Sequence, residues 1–333
     1  MRLLVRCRRR SVATAALLLA SLMGARAADA QTPALPDDDR ARIAEAFALA
    51  QRVGDSVWRG WSRVPFAVLL VTPTHEFLVG HPRPSAEFTR VGYDSLLRAE
   101  VSVRPRVFSP TLLATFPAVG GLSTIVVGQP AHTGQRSTGW VLTLLHEHLH
   151  QLQTAQPGYF DGVRALDLAR GDTTGMWMLN YPFPYDSVPV QRAFADFAHV
   201  AAAAEADATA LARAWRELRA RIGEDDARYL AFQLWQEGVA RYTELAVASL
   251  AARRHRPTGA YAALPDVTPY AVAAAELRER IVAQARGAQL ATSRRTAVYP
   301  VGAALALALD ASSPAWRDDY FTRPFGFDVL GRE

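Results

Sequence analysis

Three residues within five positions carry the strongest chemical signal in the chain. They are His146, Glu147 and His150, in the run Leu144-Leu145-His146-Glu147-His148-Leu149-His150. On an α-helix, side chains four residues apart stand one above the other on the same face. His146 and His150 would then aim two imidazole nitrogens at one ion. Glu147, the next residue, would lie beside that ion and hold a water against it. Two histidine ligands with an adjacent glutamate as general base is an arrangement used in zinc-dependent hydrolysis. His148, two residues from each histidine, points off their face and reads as a residue behind the ligands or on the surface.

These residues need a helix, and one is legible. No Pro or Gly interrupts positions 140–153, and Trp140-Val141-Leu142-Thr143-Leu144-Leu145 is an apolar lead-in suited to a buried helix. Ahead of it the chain reads as a small sheet. Positions 66–72 form a buried β run with a hairpin partner at 76–79, and positions 100–107 alternate like a strand. Positions 112–128 give two strand pieces around Gly120-Gly121. A helix from Asp37 to Trp61 precedes the sheet, with three aspartates favourable at its start. After the histidines, positions 157–189 are rich in Gly, Pro and aromatics and read either as a wall or lid of a cleft or as a loop packed on the core. Helices are then expected at 190–222, 225–253, 269–285 and 296–309.

A catalytic zinc takes three protein ligands and keeps one position open for water. The segment Trp235-Gln236-Glu237-Gly238-Val239-Ala240-Arg241-Tyr242-Thr243-Glu244 offers the best candidate for a third. H-E-x-x-H followed by a helical E-G-x-A-x-Y after an aromatic resembles the gluzincin metallopeptidases. The resemblance implies Zn2+ held by His146, His150 and Glu237, with Glu147 as the base that activates a zinc-bound water. It also implies an α+β, zincin-like fold, in which the strand before the metal helix lies at the sheet edge and pairs with substrate backbone; the residues themselves leave Ile125-Val126-Val127 open as an ordinary core strand. Gly238 beside the ligand would let helices approach closely. Glu244, two turns beyond Glu237, is a candidate partner for a ligand histidine. Glu205 and Asp207 are other acidic candidates, read as facing solvent or supporting a ligand. In Val298-Tyr299-Pro300-Val301-Gly302, similar to a Tyr-x-x-Gly helix of gluzincin-like proteins, Tyr299 is a candidate to hydrogen-bond the oxyanion; Tyr242 is the alternative. The amine-gripping acidic strand of gluzincin aminopeptidases has no counterpart in Val119-Gly120-Gly121-Leu122-Ser123, so cleavage within a peptide is expected.

The rest of the composition bounds the setting. Arg2, Arg6, Arg8, Arg9 and Arg10, an apolar stretch from Val12 to Met23 and Ala28-Asp29-Ala30 read as a signal peptide over residues 1–30. An exported, periplasmic or extracellular protein with no stable membrane insertion follows from that reading. The single cysteine, Cys7, falls within it, so no disulfide framework is expected. The formal charge of +5 is misleading, because the first thirty residues hold six Arg and one Asp. The remainder is near neutral, and Arg253-Arg254-His255-Arg256 is a short solvated cluster rather than a basic stripe, which argues against nucleic acid as partner. The expected organisation is a sheet and H-E-x-x-H helix over residues 31–155, then a mainly helical lobe over 156–333. The expected partner is a peptide or protein substrate. A zinc-dependent envelope protein without catalysis, and a metallohydrolase acting on another amide or ester, are the competing readings.

Overall fold

The run Val68-Leu69-Leu70-Val71 has no polar side chain, and the chain buries it on both faces of a sheet. The computed structural model describes residues 33–203, 207–327 and 330. The expected signal peptide lies outside these residues. The sheet holds β1 (Val68–Val71), β2 (His75–Val79), β3 (Thr89–Asp94), β4 (Ala99–Pro105), β5 (Leu113–Val119) and β6 (Leu122–Gly128), in the order β3-β4-β2-β1-β6-β5. Among the described residues, only the β1–β6 pair is parallel. Strand alternation sorts the side chains. Val68, Leu70, Ile125 and Val127 face the helices, while Leu69, Val71, Leu78, Val119 and Val126 form a smaller core under Phe88, Phe108, Leu112 and Phe116.

The sheet has one strand beyond expectation and decides between the two readings of another. β3 is an additional strand, whose residues are mostly exposed and show no apolar alternation. A bulge between Arg90 and Gly92 also breaks its register with β4. The strand preceding the metal helix, β6, is not the sheet edge. The β5–β6 turn has Gly120 and Gly121 at φ 55° and 73°, a left-handed pair suited to a tight hairpin. That hairpin folds β5 back outside β6, so Ile125-Val126-Val127 is a core strand and β5 is the edge.

The long helices are α1 (Asp37–Val57), α2 (Ser137–Thr154), α3 (Val188–Ala201), α4 (Ala208–Arg219), α5 (Glu224–Gln233), α6 (Val239–Arg254), α7 (Tyr270–Arg286) and α8 (Val298–Ser312). The architecture is α+β, a mixed sheet on the N-terminal side followed by helices, and Leu35–Glu333 forms one compact unit. The single helix expected over 190–222 is two. Asp207 caps α4 by accepting from the Ala210 amide, so a new helix starts there. This places Asp207 in a cap rather than near the histidines. Glu205 lies outside the described residues. α6 is packed on by α1, α2, α7 and α8, which is why even its Thr243 and Glu244 are buried.

Candidate metal centre

α2 is set by groups distant in sequence. The Asp266 carboxylate accepts from the Ser137 amide at 2.8 Å and from its hydroxyl at 2.5 Å, placing a negative charge at the helix N-terminus. Trp140 donates its indole N–H to the Gly128 carbonyl at 2.8 Å, tying the helix to the end of β6. His146, Glu147 and His150 are all buried, and together they form a group able to hold a metal ion: one ligand atom from each lies within 4.8 Å of the others. Among the described residues, no other group of three His, Cys, Asp or Glu side chains meets that geometry.

Both imidazoles are oriented by their Nδ1 atoms. His146 Nδ1 donates to Glu244 Oε1 at 2.8 Å, and His150 Nδ1 donates to Gln153 Oε1 at 2.6 Å. Each acceptor is itself held. Arg241 donates to Glu244 Oε2 at 2.8 Å, while the Gln153 amide donates to Tyr320 OH and to the Gln236 carbonyl. Nε2 of each ring therefore faces the same space. Such outer partners fix the tautomer and ring angle of ligating histidines. Gln153 lies three residues beyond His150 on the same helix, a spacing that puts it within reach of that ring but does not by itself mark it.

Glu237 meets the histidines from the opposite side. Its Oε2 lies 3.8 Å from His146 Nε2 and 3.5 Å from His150 Nε2. The expected helix over 225–253 is continuous, but residues Leu234–Gly238 form a π turn between α5 and α6. π turns insert a residue and re-aim the side chains they carry, often at functional sites. The turn is held from α8. A Cβ on Gly238 would collide with the Gly302 Cα, so the two helices cross backbone on backbone. The close approach expected at Gly238 exists, and its partner is Gly302. Tyr299, three residues before Gly302, is thereby brought beside the histidines, its ring centroid 6.2 Å from that of His146.

Glu147 stands apart from this set. The Thr115 hydroxyl on edge strand β5 lies 2.7 Å from Glu147 Oε2 and 3.1 Å from the Glu147 carbonyl. Thr115 pairs with Ile125, whose side chain faces the helices, so strand alternation aims Thr115 at α2. Nothing in the sequence marks Thr115, because the contact spans 32 residues. Glu237 Oε2 thus opposes both Nε2 atoms, while a Glu147 oxygen is engaged by Thr115.

Charge at the site is dense and inward. Burial opposes a charge on His146, yet hydrogen bonds to Glu237 and Glu244 with the charges of Glu244 and Glu147 outweigh it, and its pKa is pushed up to about 10. His150 moves up as well, burial being overcome mainly by the charge of Glu237. Against its own burial, Glu237 is held well below the ordinary carboxylate range by His150 and His146. Glu244 is lowered too, with Arg241 and His146 overcoming burial. Buried carboxylates around two imidazoles demand positive charge between them. Two protonated imidazoles would supply it, and a divalent cation on the Nε2 side would supply the same charge with both rings neutral.

His148 is neither behind the ligands nor on the surface. It is fully enclosed, stacked between Phe66 at 3.9 Å and Trp61 at 5.2 Å, and burial, only partly offset by its hydrogen bond to Gln151, pushes its pKa down to about 3. Tyr242 faces away from the histidines; its hydroxyl donates to Asp310 at 2.5 Å and its ring lies under Arg317. His255 leaves the solvated cluster to bond the buried Glu45 at 2.8 Å. Tyr299 accepts from Arg295 Nη1 at 3.0 Å. The aromatic segment docks beside the π turn, where Tyr229 and Gln233 both donate to the Met178 carbonyl. A cavity of about 380 Å³ lined by Trp215, Arg219, Arg228, Arg323 and Phe325 includes none of these groups and is not the metal centre.

No known family model matches the chain, and neither curated proteins nor solved structures return a match. Among the described residues, no helix is long and apolar enough to cross a membrane.

Proposed function

We propose that the protein is a zinc-dependent hydrolase of peptide bonds, with His146, His150 and Glu237 as ligands and Glu147 as general base. The observation that carries this reading is the convergence of two Nε2 atoms and Glu237 Oε2 while both Nδ1 atoms are tied back. Two imidazoles and one carboxylate suit zinc and leave a fourth position open. Bound there, the ion would polarise a carbonyl and make a water more acidic. The rest falls to the chain. Glu147, steadied by Thr115, takes the proton from the attacking water and returns it to the leaving amine. Tyr299, whose hydroxyl accepts from Arg295 and also lies against Glu237, would turn its proton from Glu237 to a developing oxyanion. β5, as the edge strand beside Glu147, offers backbone groups to an extended peptide. The gluzincin resemblance supports the same assignment, and the arginine-rich N-terminus supports export to the periplasm or beyond.

The test is cleavage of a peptide library by the zinc-loaded full-length chain, with chelator-treated protein and Glu147→Gln as controls. Cleavage lost on chelation, restored by zinc and absent in Glu147→Gln is expected. Zinc binding without cleavage of any peptide would instead favour an envelope binding protein or a hydrolase of another amide or ester.

A further inference from the structure

A π turn takes up one residue more than an α turn, and residue type alone does not decide where along a helix that residue goes. The turn at Leu234–Gly238 shifts the hydrogen-bond ladder between α5 and α6 by one position. A carbonyl at such a shift loses its helical partner and, when buried, needs another. Two side chains distant in sequence meet the carbonyls just before Glu237. Tyr320 donates its hydroxyl to the Trp235 carbonyl at 2.8 Å, and Gln153 Nε2 donates to the Gln236 carbonyl at 3.1 Å. Gln153 Nε2 also donates to Tyr320 OH at 2.6 Å, which joins the two. Gln153 Oε1 accepts from His150 Nδ1 at 2.6 Å. Gln153 is buried, and both polar atoms of its side chain are used in this one arrangement.

Tyr320 is held in place by its ring. It lies between Trp58, at 4.8 Å, and Trp235, at 4.6 Å, and Trp235 donates its indole N–H to the Tyr320 carbonyl at 3.1 Å. On the far side of Glu237, Glu244 accepts from His146 Nδ1 at 2.8 Å. The two histidines of α2 are thus tied to one helix at points that bracket Glu237. The bracket matters for aim. Were the extra residue taken up beyond Glu237, that side chain would follow the register of α5 and swing by about 100° around the axis, the angle per residue of an α-helix. Its Oε2 stands 3.8 Å and 3.5 Å from the two Nε2 atoms, and such a swing carries it out of reach.

Resting on the ligand set His146, His150 and Glu237 given above, we propose that Gln153 and Tyr320 are positioning residues that pin the π turn directly before Glu237. Orienting His150 and presenting Glu237 are then one event, because the same glutamine does the first and helps to fix the second. Among the described residues Tyr320 makes no hydrogen bond to any of the three ligands, so its hydroxyl acts on the site through Gln153 and the turn.

The test is a double-mutant cycle on the full-length chain, with zinc affinity read by competition against a chelator. Tyr320→Phe keeps both ring contacts and removes only the hydroxyl. It should weaken zinc about tenfold in the wild-type chain and add no loss in Glu237→Ala; Gln153→Leu should weaken zinc by about 10–100-fold. The visible spectrum of cobalt-loaded Tyr320→Phe should shift towards that of cobalt-loaded Glu237→Ala, since the ligand set decides the geometry of the ion. Wild-type affinity in Tyr320→Phe, or an equal loss with and without Glu237, overturns the proposal while leaving the ligand set in place. Unchanged affinity in Glu237→Ala overturns the ligand set and the proposal with it. A coupled loss of zinc in a chain that cuts no peptide sinks the peptidase reading and supports the positioning role.

Discussion

His146 and His148 sit two residues apart on one helix and have opposite surroundings. His146 meets Glu237 and Glu244, and its pKa is pushed up to about 10. His148 is stacked between Phe66 and Trp61, and burial pushes its pKa down to about 3. Both are buried, so burial alone does not separate them. The difference is whether a carboxylate reaches the ring. One face of α2 meets α6 and the π turn, which bring acids; the other meets the aromatic turn after α1 and the residue leading into β1. A histidine-rich motif therefore divides by the neighbours of each face, not by residue type.

The sharpest way to break this division is on the acidic face. Glu147→Gln should lower peptide hydrolysis by about 10²–10⁴-fold, the contribution of a positioned general base, with bound zinc unchanged. Wild-type turnover in that variant would remove Glu147 from the chemistry. Glu244→Gln leaves His146 without its carboxylate and should weaken zinc affinity by about 10–100-fold; Glu237→Ala should weaken it further. Competition against a chelator of known affinity reads both, and unchanged affinity in Glu237→Ala would exclude it as a ligand.

Stability against pH sharpens the comparison in the metal-free protein. The raised pKa of His146 contributes stability that is full below the unfolded value of about 6.5 and lost as pH rises towards about 10. The depressed pKa of His148 contributes stability that is full above about 6.5 and lost as pH falls towards about 3. Urea unfolding should therefore show greatest stability near neutrality. His148→Phe, which keeps a ring in the stack, should flatten the acid limb by about 2–4 kcal/mol and leave the alkaline limb in place. An unchanged acid limb would mean that His148 is not what titrates. Loading zinc should reverse the alkaline limb, because a ligating imidazole must be neutral.

The smallest effect is expected at Thr115. Thr115→Val removes one hydrogen bond to Glu147 at nearly constant volume and should lower kcat by about fivefold, with Thr115→Ser close to wild type. A loss confined to KM would instead place Thr115 in substrate binding.

The sequence makes legible what local spacing controls. The alternation at positions 100–107, the apolar run in β1 and the four-residue spacing of His146 and His150 each describe a single element, and each element forms. Glu244 can be weighed because it repeats with Glu237 along a helix. What stays hidden depends on pairing between distant segments. Thr115 reaches Glu147 only because the Gly120-Gly121 turn makes β5 the sheet edge. Asp266 caps α2 from far along the chain, and the stack on His148 needs Trp61 and Phe66 to pack beneath the helix. β3 is hidden because its exposed residues carry no burial pattern, and the π turn because no residue type specifies one.

The crossing of Gly238 and Gly302 has a mechanical consequence. Two helices in direct backbone contact have no intervening side-chain layer on which to slide. Glu237 on one and Tyr299 on the other are thus bolted to a common pivot and form a single stiff jaw. The opposing jaw, built from α2 and the edge strand β5, carries both histidines and Glu147. Any widening between the two jaws must then move one against the other or shift the aromatic segment beside them, and a larger residue at either glycine would unseat the whole jaw.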